Sequence, residues 1–114
     1  MRYVSTRGGM DPVTFRDAVI IGQAPDGGLL LPEVLPDVSK ELEGWRQLSF
    51  EDLAFEVIRL FADDIDDAVL RKILKDAFAT FTVEDTIPLV QFDGLNVLEL
   101  FHGPTLAFLS LIHI

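Results

Sequence analysis

The chain has 114 residues, a formal net charge of −10 from 9 Lys+Arg against 19 Asp+Glu, 49% hydrophobic residues and no cysteine. That length makes one domain able to bury about two-thirds of its unfolded surface. The apolar content excludes a disordered chain, and the missing cysteines exclude a disulfide scaffold. An acidic surface repels phosphate backbones, which argues against a nucleic-acid partner. No stretch reaches the ~20 apolar residues of a membrane helix. The start, Met1 to Gly8, lacks the apolar core of a secretory signal. The expectation is a soluble, cytoplasmic protein with no membrane partner.

Tyr3 to Thr6, β-branched and aromatic, reads as a short strand that stops at Arg7-Gly8-Gly9. Thr14 stands three residues before Asp17, a capping-box-like start for a short helix over Phe15 to Ile21, with Gly22 as its stop. Pro25-Asp26-Gly27-Gly28 is a turn, Leu29 to Pro32 a brief buried strand, and Pro32 to Gly44 a surface loop.

Two amphipathic helices follow. Ser49 caps the first, with Glu51 and Asp52 complementing its dipole; Phe50, Leu53, Ala54, Val57, Ile58 and Phe61 form one apolar face. The second opens at Asp66-Asp67 and aligns Val69, Leu70, Ile73, Leu74, Ala77 and Phe78, with Arg71, Lys72 and Lys75 in its later turns. An antiparallel pair joined at Asp63-Asp64 is the simplest packing. The period then alternates. Leu89 to Phe92, Asp93-Gly94 and Leu95 to Leu100 predict a β-hairpin, because Asp-Gly suits the positive φ angles of a type I′ turn. Phe101 to Phe108 is a Gly-Pro turn leading into an apolar run.

Residue chemistry by itself points to no active site. The cluster Asp63, Asp64, Asp66, Asp67 lacks the alternate-ligand spacing and glycine of a calcium loop, and a turn with helix-start carboxylates accounts for it, so no metal is expected. His102 and His113 are the only imidazoles, and no nucleophile elbow, metal-binding helix or phosphate loop recruits them. The residues alone describe a soluble acidic α+β unit.

Three pieces in order resemble the threonine synthase family. They are Tyr3-Val4-Ser5-Thr6-Arg7-Gly8; Val13 to Val19 with Ala24-Pro25-Asp26-Gly27-Gly28-Leu29 and Pro32; and Glu99-Leu100-Phe101-His102-Gly103-Pro104-Thr105-Leu106-Ala107-Phe108. The third is similar to the lead-in to that family's pyridoxal-phosphate lysine. The resemblance implies an α+β fragment of an α/β enzyme of the tryptophan synthase β-like type. Residues 1–80 would be the N-terminal domain and 81–108 the start of the catalytic domain. It implies conversion of O-phospho-L-homoserine and water to L-threonine and phosphate, with pyridoxal 5′-phosphate held as a Schiff base and serving as electron sink. His102, Gly103, Pro104 and Thr105 would be family-motif residues, and Phe108 a cofactor-binding neighbour of the lysine.

The pattern breaks at the next residue. Where the family has lysine and then aspartate, this chain has Leu109-Ser110, and its lysines are Lys40, Lys72 and Lys75. Leucine cannot form an imine, so this chain is expected to be inactive, with no covalently bound cofactor. Leu109-Ser110-Leu111-Ile112-His113-Ile114 is similar to a one-frame translation of the transposase mosaic-end adapter of sequencing libraries (CTG TCT CTT ATA CAC ATC). One reading is therefore a threonine synthase gene cut at a contig edge, with 109–114 a non-native tail. It is favoured because the family match stops where the adapter-like stretch starts. A lysine-less paralogue and a non-catalytic acidic interaction module are the alternatives. Without covering surface, the hairpin and tail should be exposed and prone to self-association.

Overall fold

The computed structural model describes residues 1–112. The fold is α+β: a small strand pair with one helix, an antiparallel helix pair that holds the core, and a separate hairpin.

Strand β1 (Tyr3–Ser5) pairs antiparallel with β2 (Leu30–Pro32), Tyr3 opposite Pro32 and Ser5 opposite Leu30; Tyr3 also bridges Val13. Between the strands, α1 (Phe15–Ile21) starts where Thr14 Oγ1 accepts the Asp17 N–H at 3.2 Å and stops at Gly22, φ 71°. Both ends match the sequence expectation. The strand at Leu29 to Pro32 is not buried, however. Leu29 and Leu31 are exposed on the outer side of the two-stranded sheet, while Leu30 and Pro32, opposite the buried Ser5 and Tyr3, are half-buried.

The expected loop from Pro32 to Gly44 ends in a helical turn, α2 (Leu42–Trp45), which has no side-chain cap. Helix α3 (Phe50–Ile58) begins at Ser49, whose Oγ accepts the Asp52 N–H at 3.1 Å. Helix α4 (Asp67–Phe78) begins at Asp66, whose carboxylate accepts the Ala68 and Val69 N–H groups at 2.9 and 3.3 Å. The rings of Phe50 and Phe78 meet edge-on at 5.0 Å, bringing the start of α3 to the end of α4. The helices are therefore antiparallel.

Their core is Phe55, Leu70 and Leu74, backed by Ile58, Ile65 and Phe78. Phe55, outside the apolar face read from the sequence, is the buried residue of α3, whereas Val57 from that face is exposed. The helix carries two overlapping apolar stripes. Phe55 and Ile58 turn inward, continued by the buried Ala62 after the helix end; Leu53, Ala54 and Val57, with Ile58 between the two stripes, line a groove beside α4.

Strands β3 (Leu89–Phe92) and β4 (Leu95–Leu98) form the hairpin, with Asp93 at φ 47° and Gly94 at φ 79° in its two-residue turn. The second strand ends at Leu98 rather than Leu100. Both strands are exposed along their whole length, as expected of a two-stranded ribbon without a covering layer. A final turn, α5 (Leu109–Ile112), places Leu111 in the groove with Leu53, Val57, Phe78 and Leu100. His113 and Ile114 lie outside the described residues. Among the described residues, no helix is long and apolar enough to cross a membrane.

Candidate functional site

The run from Glu99 to Phe108 leaves the hairpin and folds into a compact turn. The Glu99 N–H donates to the Pro88 carbonyl at 2.9 Å, extending the hairpin by one rung. His102 Nε2 donates to the Glu99 carboxylate at 2.5 Å, and its ring stacks on Phe101 with centroids 4.6 Å apart. The His102 carbonyl accepts both the N–H and the hydroxyl of Thr82, each at 3.1 Å, which ties the turn to the segment after α4.

Gly103 is buried where only a glycine fits. A Cβ there would lie 2.2 Å from Ser110 Cβ and 2.9 Å from Phe81 Cζ. The Thr105 N–H donates to Ser110 Oγ at 2.9 Å, and the two hydroxyls lie 2.6 Å apart. Thr105 Oγ1 also donates to the Ala107 carbonyl at 3.1 Å, and Leu106 takes the left-handed region at φ 53°. The turn is thus closed by the side chain at position 110.

His102, Gly103 and Thr105 are brought together by these bonds; Pro104 is exposed on the outside of the turn. Phe108 is 57% exposed and Leu109 39% exposed, so neither is enclosed by a pocket. The lysines stand elsewhere, Lys40 in the loop before α2 and Lys72 and Lys75 on α4, where Lys72 pairs with Asp76.

The aspartate cluster is dispersed over separate tasks. Asp63 pairs with the Met1 ammonium, Asp64 Oδ2 accepts the Arg16 N–H at 3.0 Å, Asp66 caps α4 and Asp67 lies in its first turn. Among the described residues, no group of three or more His, Asp or Glu is placed to hold a metal ion. Beside Asp64, the Tyr3 hydroxyl donates to the Phe61 carbonyl at 3.1 Å. Burial, with the Asp64 charge second, raises the Tyr3 phenol above its ordinary pKa. These contacts dock the strand pair onto the α3–α4 connection.

The N-terminal loop after β1 is no anion cradle. Its Arg7, Gly8 and Gly9 N–H groups are already bonded to Ser5 Oγ, the Ser5 carbonyl and Asp26 Oδ2. Sequence reasoning did not find that Asp26 gathers these groups. The signal available was the pairing of a Gly-rich loop with an Asp-Gly-Gly turn.

The geometry defines an α+β module with a structured Gly-Pro turn at the exit of a hairpin. The family model described as "Threonine synthase N terminus" matches residues 2–78. The threonine synthase of Pseudomonas aeruginosa is 47% identical over 111 residues, covering 95% of this chain and 24% of that protein. Threonine synthase-like 2 of Xenopus laevis is 41% identical, covering 97% of this chain and 24% of its own. The crystal structure of pyridoxal-phosphate-bound threonine synthase from Brucella melitensis superposes with a TM-score of 0.89 at 40% identity, covering 96% of this chain and 24% of that one. The chain belongs to the threonine synthase family. It spans about a quarter of the length of the relatives it matches.

Proposed function

We propose that residues 1–108 correspond to the N-terminal quarter of a threonine synthase, a cytoplasmic pyridoxal-phosphate lyase converting O-phospho-L-homoserine and water to L-threonine and phosphate. Residues 1–80 are its N-terminal domain, 81–108 the entry to its catalytic domain, and 109–114 a non-native tail. The reading is supported by the Glu99–Phe108 motif, which ends at the residue before Leu109 and within which His102 bonds Glu99 and Thr105 bonds the Ala107 carbonyl. In such an enzyme the motif presents the Schiff-base lysine.

Pyridoxal phosphate does not fit the residues present. Position 109 offers an alkyl side chain in place of an amine, and the Arg7-Gly8-Gly9 amides that could meet a phosphate are taken. No catalytic step follows from this chain, which we expect to be inactive. Titrating it with pyridoxal phosphate should give no saturable imine absorbance. A stoichiometric imine band would overturn the reading.

One observation favours a second reading, a natural lysine-less paralogue. Ser110 closes the turn by accepting the Thr105 N–H, so the tail is compatible with the motif it follows. The two readings differ in the coding DNA, where a paralogue keeps a leucine codon at 109 in the chromosome. In either case the exposed hairpin, with Leu89, Phe92 and Leu95 each more than 60% exposed, supports self-association of this chain.

A further inference from the structure

The two N-terminal motifs, Ser5-Thr6-Arg7-Gly8 and Pro25-Asp26-Gly27-Gly28, have no task in the enzyme reading, yet they interlock at one carboxylate. Asp26 Oδ1 accepts the Gly28 N–H at 2.8 Å, and Oδ2 accepts the Gly9 N–H at 2.7 Å. The Ser5 hydroxyl lies 2.7 and 2.8 Å from the two oxygens and donates to them. Ser5 is buried at 6% exposure, and its Oγ in turn accepts the Arg7 N–H at 3.1 Å. Arg7 Nη1 donates to the Asp26 carbonyl at 3.0 Å.

The glycines are what allow this approach. A Cβ on Gly9 would lie 2.7 Å from Asp26 Oδ2, and one on Gly28 would lie 2.2 Å from Ser5 Oγ. Gly27, at φ 78°, makes the turn that aims the carboxylate back at β1.

We propose that Asp26 is an acid-sensitive clasp holding the segment Ser5–Gly9 against the Asp26–Leu29 turn, and that neutralising it frees this segment while the α3–α4 pair stays folded. Each carboxylate oxygen faces a backbone N–H that can only donate, Gly28 on Oδ1 and Gly9 on Oδ2, and the two share the single Ser5 hydroxyl proton. A proton on either one removes the charge that strengthens the two N–H bonds, and the new O–H must displace the Ser5 donation or oppose an N–H. Beyond the carboxylate, the segment is held by a three-residue ladder, the Thr6 N–H to Leu29 carbonyl bond, the Leu29 N–H to Thr6 Oγ1 bond at 3.0 Å and the exposed Arg7 side chain on the Asp26 carbonyl, too little to order it firmly. The start of β1 stays docked through Tyr3, Val13 and Phe61. The core residues Phe55, Leu70 and Leu74 belong to other elements.

The Gly28 N–H, then the Ser5 hydroxyl, the Gly9 N–H and the Arg7 charge hold Asp26 below the ordinary aspartate range; among the described residues Arg7 is the charged group that faces it. A lowered folded-state pKa means the clasp is fully closed above the unfolded value, about 3.9, and opens as pH falls through the folded one.

Amide hydrogen exchange on the 114-residue chain tests this, comparing Thr6 with Leu70 in the wild type, Asp26→Asn and Ser5→Ala. Both variants should lower Thr6 protection by about tenfold and leave Leu70 unchanged. Unchanged Thr6 protection overturns the proposal, as does an equal loss at Leu70. If Asp26→Asn does not fold, the wild type read from neutral to acid pH supplies the same comparison, with Thr6 losing protection before Leu70.

Discussion

The guanidinium carbon of Arg71 lies 3.5 Å from the centroid of the Phe55 ring. The same guanidinium meets Asp52 at 3.2 Å and Glu56 at 3.9 Å, so one cation on α4 covers the core aromatic of α3 and pairs with the acids beside it. Phe55 is 3% exposed beneath it. The two ends of this contact should differ greatly in energy. Phe55→Ala removes a buried ring and should cost about 3–5 kcal/mol. Arg71→Ala should cost about 1 kcal/mol, a cation–π contact at a half-exposed site plus weak surface pairs. Urea unfolding of both variants measures the difference.

Tyr3 is the only tyrosine, so the tyrosinate absorbance of the chain reports on it alone. Burial and then the Asp64 charge raise its pKa, and the midpoint should exceed that of free tyrosine. Asp64→Asn should bring it back part of the way. A raised folded-state pKa means that Tyr3 contributes stability fully present below about pH 10 and lost as pH rises through the folded value. Alkaline unfolding should therefore begin with the undocking of β1 from Phe61.

Asp66 and Ser49 cap the two core helices with side-chain oxygens. Asp66→Ala should lower stability by about 1 kcal/mol, and Ser49→Ala by a similar amount. Asp67→Ala, one residue further on, carries no such bond and should change stability by less than about 0.5 kcal/mol. Thermal or urea unfolding of the three variants separates a cap from a member of an acidic cluster.

Gly94 at φ 79° and Asp93 at φ 47° set the hairpin turn. Gly94→Ala should cost about 1–2 kcal/mol of hairpin stability. Phe92→Lys with Leu95→Lys puts like charges on the exposed apolar ribbon and should leave the turn intact. If the hairpin is the self-associating surface, sedimentation at rising concentration should show oligomers of the wild type and a monomer of the double-lysine variant.

What the sequence disclosed was local. Thr14, Gly22, Ser49, Asp66 and the Asp93-Gly94 turn each carry their conformational effect within a few residues, and each stands where its chemistry predicts. What escaped depends on distance. Periodicity puts Val57 on the apolar face and leaves Phe55 off it, whereas the packing of α3 on α4 buries Phe55 and leaves Val57 exposed. The exposure of Leu29 and Leu31 depends on which side of the small sheet is covered, which a run of apolar residues does not encode. The Asp26 clasp joins residues 21 positions apart through a carboxylate that reads in sequence as an ordinary turn residue. The turn from Glu99 to Phe108 was legible as a motif, but the closing of that turn by position 110 was not.

The central claim is that residues 1–108 belong to a threonine synthase reading frame in which position 109 is the Schiff-base lysine. Sequencing the chromosomal DNA across codon 108 tests it most directly. The account predicts a lysine codon followed by an aspartate codon in a frame that continues. A chromosomal leucine codon at 109, with the codons of 109–114 departing from the adapter sequence, would contradict it.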